Sequence, residues 1–235
     1  MIQLKKRDER PFRLRPSTKG RHQFGGHCSF EGIVPDGCDV PLHQLLLIDL
    51  TDPAVPLEPT NLCSLPLLYP LKYGGGGAEL QYSLQTSNRV EILYMSDPLP
   101  DPPGQQYVEV PSLPIQRLDL VPFSYGEAKF DLFKRDGAYF RTSWFDSWWF
   151  KEIDTTRLIY FGGFRYHIPN AGPRICHNPA CENFNRVTAC SFIASLPPIK
   201  ANGSDDFWCE FQGAFMDFVF LLCMSCRTII TFNIV

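Results

Sequence analysis

The chain has 235 residues, 44% of them apolar and 20% charged, a balance that excludes an extended disordered polymer and provides interior for one large domain or two small ones. Its 21 prolines, 19 phenylalanines and 17 glycines favour many short strands and turns over long helices. A net charge of −3 excludes a uniformly basic surface, but that charge is unevenly placed.

Residues 1–22 hold eight basic side chains (Lys5, Lys6, Arg7, Arg10, Arg13, Arg15, Lys19, Arg21) against Asp8 and Glu9, a balance of +6; since the whole carries −3, the remainder carries −9. The segment reads as a solvated basic arm, one that can touch nucleic acid or an acidic surface. The nine cysteines and an opening MIQLKKRDER without an apolar signal core suggest a reducing cytoplasm.

Phe24-Gly25-Gly26 opens the structured part. HQLLLIDL, residues 43–50, is a continuous apolar run suited to a strand covered on both faces. Leu65–Tyr73 is again apolar and leads into four glycines at 74–77, read as a hairpin loop because no Lys-Ser/Thr follows to make a phosphate-binding loop. Glu79–Leu84 and Arg89–Met95 read as paired strands. From Ser96 to Pro114 the prolines and acids of DPLPDPPGQQYVEVPSLP indicate an extended surface connection.

Residues 139–153, YFRTSWFDSWWFKEI, place apolar side chains at helical spacing behind a Ser143/Asp146 cap and predict a short amphipathic helix. Its Trp144, Trp148 and Trp149 form a candidate partner-binding face. The later chain then follows the order of the earlier: Phe161-Gly162-Gly163 answers residues 24–26, the strand Thr188–Leu196 answers 43–50, Val219–Cys223 answers 65–69 and Ile229–Val235 answers 79–84. Ala214–Cys226 is apolar but contains Asp217 and is shorter than the roughly 20 residues of a spanning helix, so it is expected as a buried strand.

The chemistry sits in CHNPAC, residues 176–181, and CMSC, residues 223–226. Two closely spaced cysteine pairs on separate strands supply the four thiolates of a structural zinc site: Cys176, Cys181, Cys223 and Cys226. His177, Cys190 and Cys209 are alternative ligands. Cys28 beside His27 is not read as a nucleophile, because neighbouring residues on a strand face opposite ways. No GxSxG or HExxH motif occurs.

The paired FGG openings, HQLLLIDLTD at 43–52, LPLLYP with GGGGAELQY across 65–82, DPLPDPP with LVPFSY across 97–125 and the two cysteine pairs together resemble the YwqG-like family of bacterial proteins. The resemblance implies an α+β fold of two similar halves, distant kinship to ribosome-maturation chaperones of the programmed-cell-death-protein type, and no catalytic residues. The chain departs from the family pattern after each Gly-Gly, where His27, Cys28 and Phe164, Arg165, Tyr166 stand in place of the usual proline and glutamine.

The expected organisation is α+β, predominantly antiparallel β with few short helices: a basic arm over 1–22, a first pseudo-repeat over 23–95, a Pro-rich connection and Trp-rich segment over 96–157, and a second pseudo-repeat with the zinc cysteines over 158–235, the two repeats sharing one core. The expected function is that of a monomeric, cytoplasmic, non-enzymatic protein-binding module of a chaperone-like kind, holding structural zinc and a basic protein client. Its alternatives are a ligand binder or enzyme with a cleft between the halves, and nucleic-acid binding through the arm.

Overall fold

The computed structural model describes residues 12–37, 41–57, 62–71, 78–96, 113–124, 159–162, 174–196 and 217–234. Thirteen strands are present among them: β1 (Phe12–Pro16), β2 (His22–Phe24), β3 (His43–Asp49), β4 (Ser64–Tyr69), β5 (Leu80–Leu84), β6 (Val90–Met95), β7 (Gln116–Pro122), β8 (Ile159–Phe161), β9 (Arg174–Cys176), β10 (Arg186–Thr188), β11 (Cys190–Leu196), β12 (Asp217–Cys223) and β13 (Ile229–Ile234). Eleven of these form one antiparallel sheet in the order β4-β3-β2-β7-β1-β8-β11-β12-β13-β5-β6, while β9 and β10 form a separate pair.

The α+β expectation is therefore corrected: the described residues contain no helix and build an all-β fold. Their apolar runs are short and rich in Leu, Ile, Val and Phe, which pack well on a pleated surface and lack the length for a stable helix. The helix expected over 139–153 lies outside the described residues, as do the glycines at 74–77.

The supposed arm contributes a central strand. In β1, Phe12 and Leu14 are buried while Arg13 and Arg15 alternate with them toward the other face. The strand pairs with β7 on one side and β8 on the other, Leu14 lying opposite both Leu120 and Ile159. A strand in that position joins the two ends of the sheet, since β4-β3-β2-β7 lies to one side and β8-β11-β12-β13-β5-β6 to the other.

The sheet curls until its first strand meets the region of its tenth. Tyr69 of β4 packs against Phe218 of β12 with ring centroids 4.4 Å apart. The Tyr82 hydroxyl of β5 accepts from the Leu68 amide at 3.1 Å and donates to the Pro66 carbonyl at 2.9 Å. A phenol thus takes up the hydrogen bonds that a neighbouring strand would otherwise satisfy. β4 and β5 are consequently joined by a side chain and not by a backbone hairpin. The interior they enclose is one large apolar core that includes Phe24, Leu46, Leu67, Leu118, Phe161 and Phe220.

Candidate metal centre

The turn from β9 to β10 is the first cysteine knuckle. Cys176 closes β9, the Cys181 amide donates to the Asn178 carbonyl at 2.9 Å, and the Asn178 Oδ1 accepts from the Ala180 amide at 2.9 Å, so asparagine's side chain organises the turn locally. Asn185 then adopts φ 55°, which lets its amide return to the Cys176 carbonyl at 2.7 Å. The turn from β12 to β13 is closed in the same manner: Arg227 has φ 66° and its amide donates to the Cys223 carbonyl at 2.9 Å.

The two turns face each other. Cys176 Sγ lies 3.5 Å from Cys226 Sγ, Cys181 Sγ lies 3.9 Å from Cys223 Sγ, and all four sulfurs fall within 4.8 Å of one another. A tetrahedron of thiolates with metal–sulfur bonds of about 2.3 Å has edges of about 3.8 Å, so the four can hold a metal ion with little adjustment. The seven described cysteines are free thiols.

Polar groups brace the sulfurs. The Thr188 hydroxyl lies 3.3 Å from Cys223 Sγ, the Thr228 hydroxyl lies 3.1 Å from Cys226 Sγ, and the Asn183 amide donates to Cys181 Sγ at 3.4 Å. Burial alone would push the Cys223 thiol up, yet the Thr188 hydroxyl and the amides of Cys226 and Ser225 outweigh it and bring the thiol down to about 7. Burial dominates at the other end of the set, raising Cys176 and pushing Cys181 up to about 11. Cys223 is thus the sulfur of the four most readily ionised, and a cation would have to displace protons from its companions.

Hydrogen bonds also tie one knuckle to the other. Asn178 Nδ2 donates to Thr228 Oγ1 at 2.8 Å, and Asn183 Nδ2 donates to Ser225 Oγ at 2.8 Å, which in turn donates to Glu182 Oε1 at 2.8 Å. The β9–β10 pair is anchored to the main sheet by Gln81 of β5, fully buried. Its Nε2 donates to the Ile175 carbonyl at 2.7 Å and its Oε1 accepts from the His177 amide at 2.8 Å, so one side-chain amide imitates a strand residue along the edge of β9. Arg174 adds an ion pair to Glu79 at 3.0 Å and lies 3.6 Å over the Phe232 ring.

The structure gathers the four cysteines read from spacing and leaves the alternative ligands apart. His177 stacks on Tyr94 at 4.0 Å and turns Nδ1 to Asn185 Oδ1 at 2.9 Å. Cys190 is outside the cluster, its sulfur 3.8 Å from the Thr188 carbonyl and its thiol pushed up to about 12 by burial first. Cys209, Trp144, Trp148 and Trp149 lie outside the described residues. Cys28 is buried in the main core, and burial raises its thiol, the opposite of what a nucleophile needs. The bracing residues Thr188, Thr228, Asn178 and Asn183 are not marked by the cysteine pattern; the Asn and Thr within two residues of a cysteine were the available signal. No family model, characterised protein or solved structure matches the chain.

Proposed function

We propose that the protein is a non-catalytic protein-binding module whose curled sheet is stapled by a structural zinc ion on Cys176, Cys181, Cys223 and Cys226. The observation that carries this reading is the closed donor set: four thiols within 4.8 Å of one another. Soft thiolates in a tetrahedron select zinc among the common divalent ions, and four of them leave no open position at which water or substrate would be activated. Loss of the ion would therefore be read in folding and not in turnover.

The resemblance to the YwqG-like family supplies the class of function, chaperone-like binding of another protein. Reduced thiols throughout the described residues suit a reducing compartment such as the cytoplasm. The chain beyond residue 22 carries −9, and a charge of that sign speeds encounter with a basic client. The test is capture of partners by the zinc-loaded, full-length chain followed by elution in rising salt. Basic proteins released by salt are expected; capture of acidic partners alone, or retention indifferent to salt, contradicts the reading.

A further inference from the structure

The curled sheet has two ends, and they are finished differently. At β4 the Tyr82 hydroxyl occupies Leu68 N–H and Pro66 C=O, and Pro66 itself offers no donor. At the opposite end no described strand pairs with the outer side of β6. Among the described residues only its beginning is engaged: the Val90 amide donates to the Glu31 carbonyl at 2.9 Å and the Glu31 amide donates to the Asn88 carbonyl at 2.8 Å, a single parallel bridge.

Because Val90 turns its peptide outward, alternation turns that of Ile92 outward as well, just before the bulge at Leu93 where the register to β5 shifts. Beside this edge runs a groove of about 780 Å³ between β6 and the loop carrying Val34, Pro35 and Asp36. Val34 is 52% exposed there. Of the charged side chains lining the groove, Asp36 and Glu91 are acidic and Arg89 is basic, and Glu31, exposed, stands at the end where the existing bridge forms. A strand edge left unpaired by the described strands, next to the exposed Val34 and an excess of carboxylates, is suited to an incoming strand with positive side chains.

We propose that the outer edge of β6 receives an extended, basic segment of a partner protein as an added strand, continuing the pairing that Glu31 begins. The proposal rests on the protein-binding reading above and names the surface and the chemistry of its partner. Backbone hydrogen bonds hold the segment, Val34 packs its apolar side chains, and Asp36 and Glu91 select lysine or arginine at the alternate positions.

The test uses fluorescein-labelled peptides of about eight residues, an ordinary strand length, and the full-length protein. One alternates lysine and valine, a second alternates glutamate and valine, and a third is the lysine peptide with every amide N-methylated. The lysine peptide should bind saturably, N-methylation should weaken it at least tenfold because backbone donors are lost, and the glutamate peptide should bind at least tenfold more weakly. Ile92→Pro should have the effect of N-methylation while its metal content and unfolding temperature stay near those of the parent, since proline is tolerated on an outward-facing edge position. If that variant does not fold, the N-methylated probe decides alone. No binding of the lysine peptide, equal binding of the methylated one, preference for glutamate, or a homodimer abolished by Ile92→Pro would each overturn the proposal. A basic client still captured by folded Ile92→Pro would remove the β6 edge and leave the binding module standing, whereas a chain that captures no client removes both.

Discussion

Gly162 donates its amide to the Ile193 carbonyl at 2.7 Å. In the other half of the sheet Gly25 does the same to Leu45 at 3.0 Å. The two glycines have nearly equal conformations, φ 66° and 65°, and each acceptor sits at a bulge, where the register of β11 on β12 skips Ile193 and that of β3 on β4 skips Leu45. The short strands β8 and β2 are therefore joined to their neighbours by the same device: a left-handed glycine satisfying a carbonyl that the bulge removes from the ladder.

Substitution separates the two joints. A Cβ at Gly25 would run into the backbone carbonyl oxygen of Pro114, which has no freedom to withdraw, whereas at Gly162 it would meet the edge of the Pro56 ring at 2.6 Å. Gly25→Ala should cost roughly 3 kcal/mol, a fall of about 10 °C in Tm for a chain of this size, and Gly162→Ala should cost less. Thermal unfolding of both variants with metal bound measures this. Equal losses, or none at Gly25, would show that the joint is not under the constraint described.

These joints also show what the residues made legible. FGG, HQLLLID and LPLLY announce their strands because glycine and apolar runs act locally, and the cysteine pairs announce a metal site because ligand spacing is itself local. β1 was hidden in a count of charge: eight basic residues in 22 outweighed the two-residue alternation of Phe12, Arg13, Leu14 and Arg15, although arginine on the opposite face of a strand is compatible with burial of its neighbours. β7 was hidden by the prolines before it. That β4 and β5 meet through Tyr82 was not legible at all, since closure of a curled sheet is decided by all eleven strands together. Gln81, which carries the cysteine hairpin, is likewise separated from Ile175 by 94 positions.

Gln81 provides the second prediction. Gln81→Leu keeps about the same side-chain volume but leaves the Ile175 carbonyl and the His177 amide without their partner. Metal affinity should fall about tenfold, the scale seen when groups behind a metal's ligands are removed, with a loss of about 2 kcal/mol in stability. Competition with a chromogenic chelator reads the first and denaturant unfolding the second. An unchanged affinity would mean that the knuckles are held without the main sheet.

His22 sets a pH dependence independent of the cysteines. It is fully buried, accepts from the Asp49 amide on Nδ1 at 3.1 Å and places Nε2 3.3 Å from Asp52 Oδ2. Burial lowers its pKa, outweighing the opposing pull of Asp52 and Asp49. The unfolded chain takes up a proton near pH 6.5 while the folded chain resists it, so the stability His22 contributes is complete above about pH 6.5 and is lost as pH falls toward the lower folded value. Asp49, whose pKa is also lowered, is lost only below its ordinary value of 3.8. Unfolding free energy should therefore decline in the parent as pH falls below about 6.5. In His22→Asn, whose Oδ1 can still accept from the Asp49 amide, the decline should be shallower than in the parent by the share of one proton, the rest belonging to the metal-bound thiols; an equal slope in the two chains assigns the effect elsewhere.

The central claim is that four thiolates close around one ion. Zinc K-edge absorption of the chain purified without oxygen, taken together with its metal content, tests it directly: one zinc per chain is expected, surrounded by four sulfurs at about 2.3 Å and absent from Cys223→Ser. A chain that carries no metal, or a zinc whose nearest shell contains oxygen or nitrogen in place of sulfur, would contradict the account.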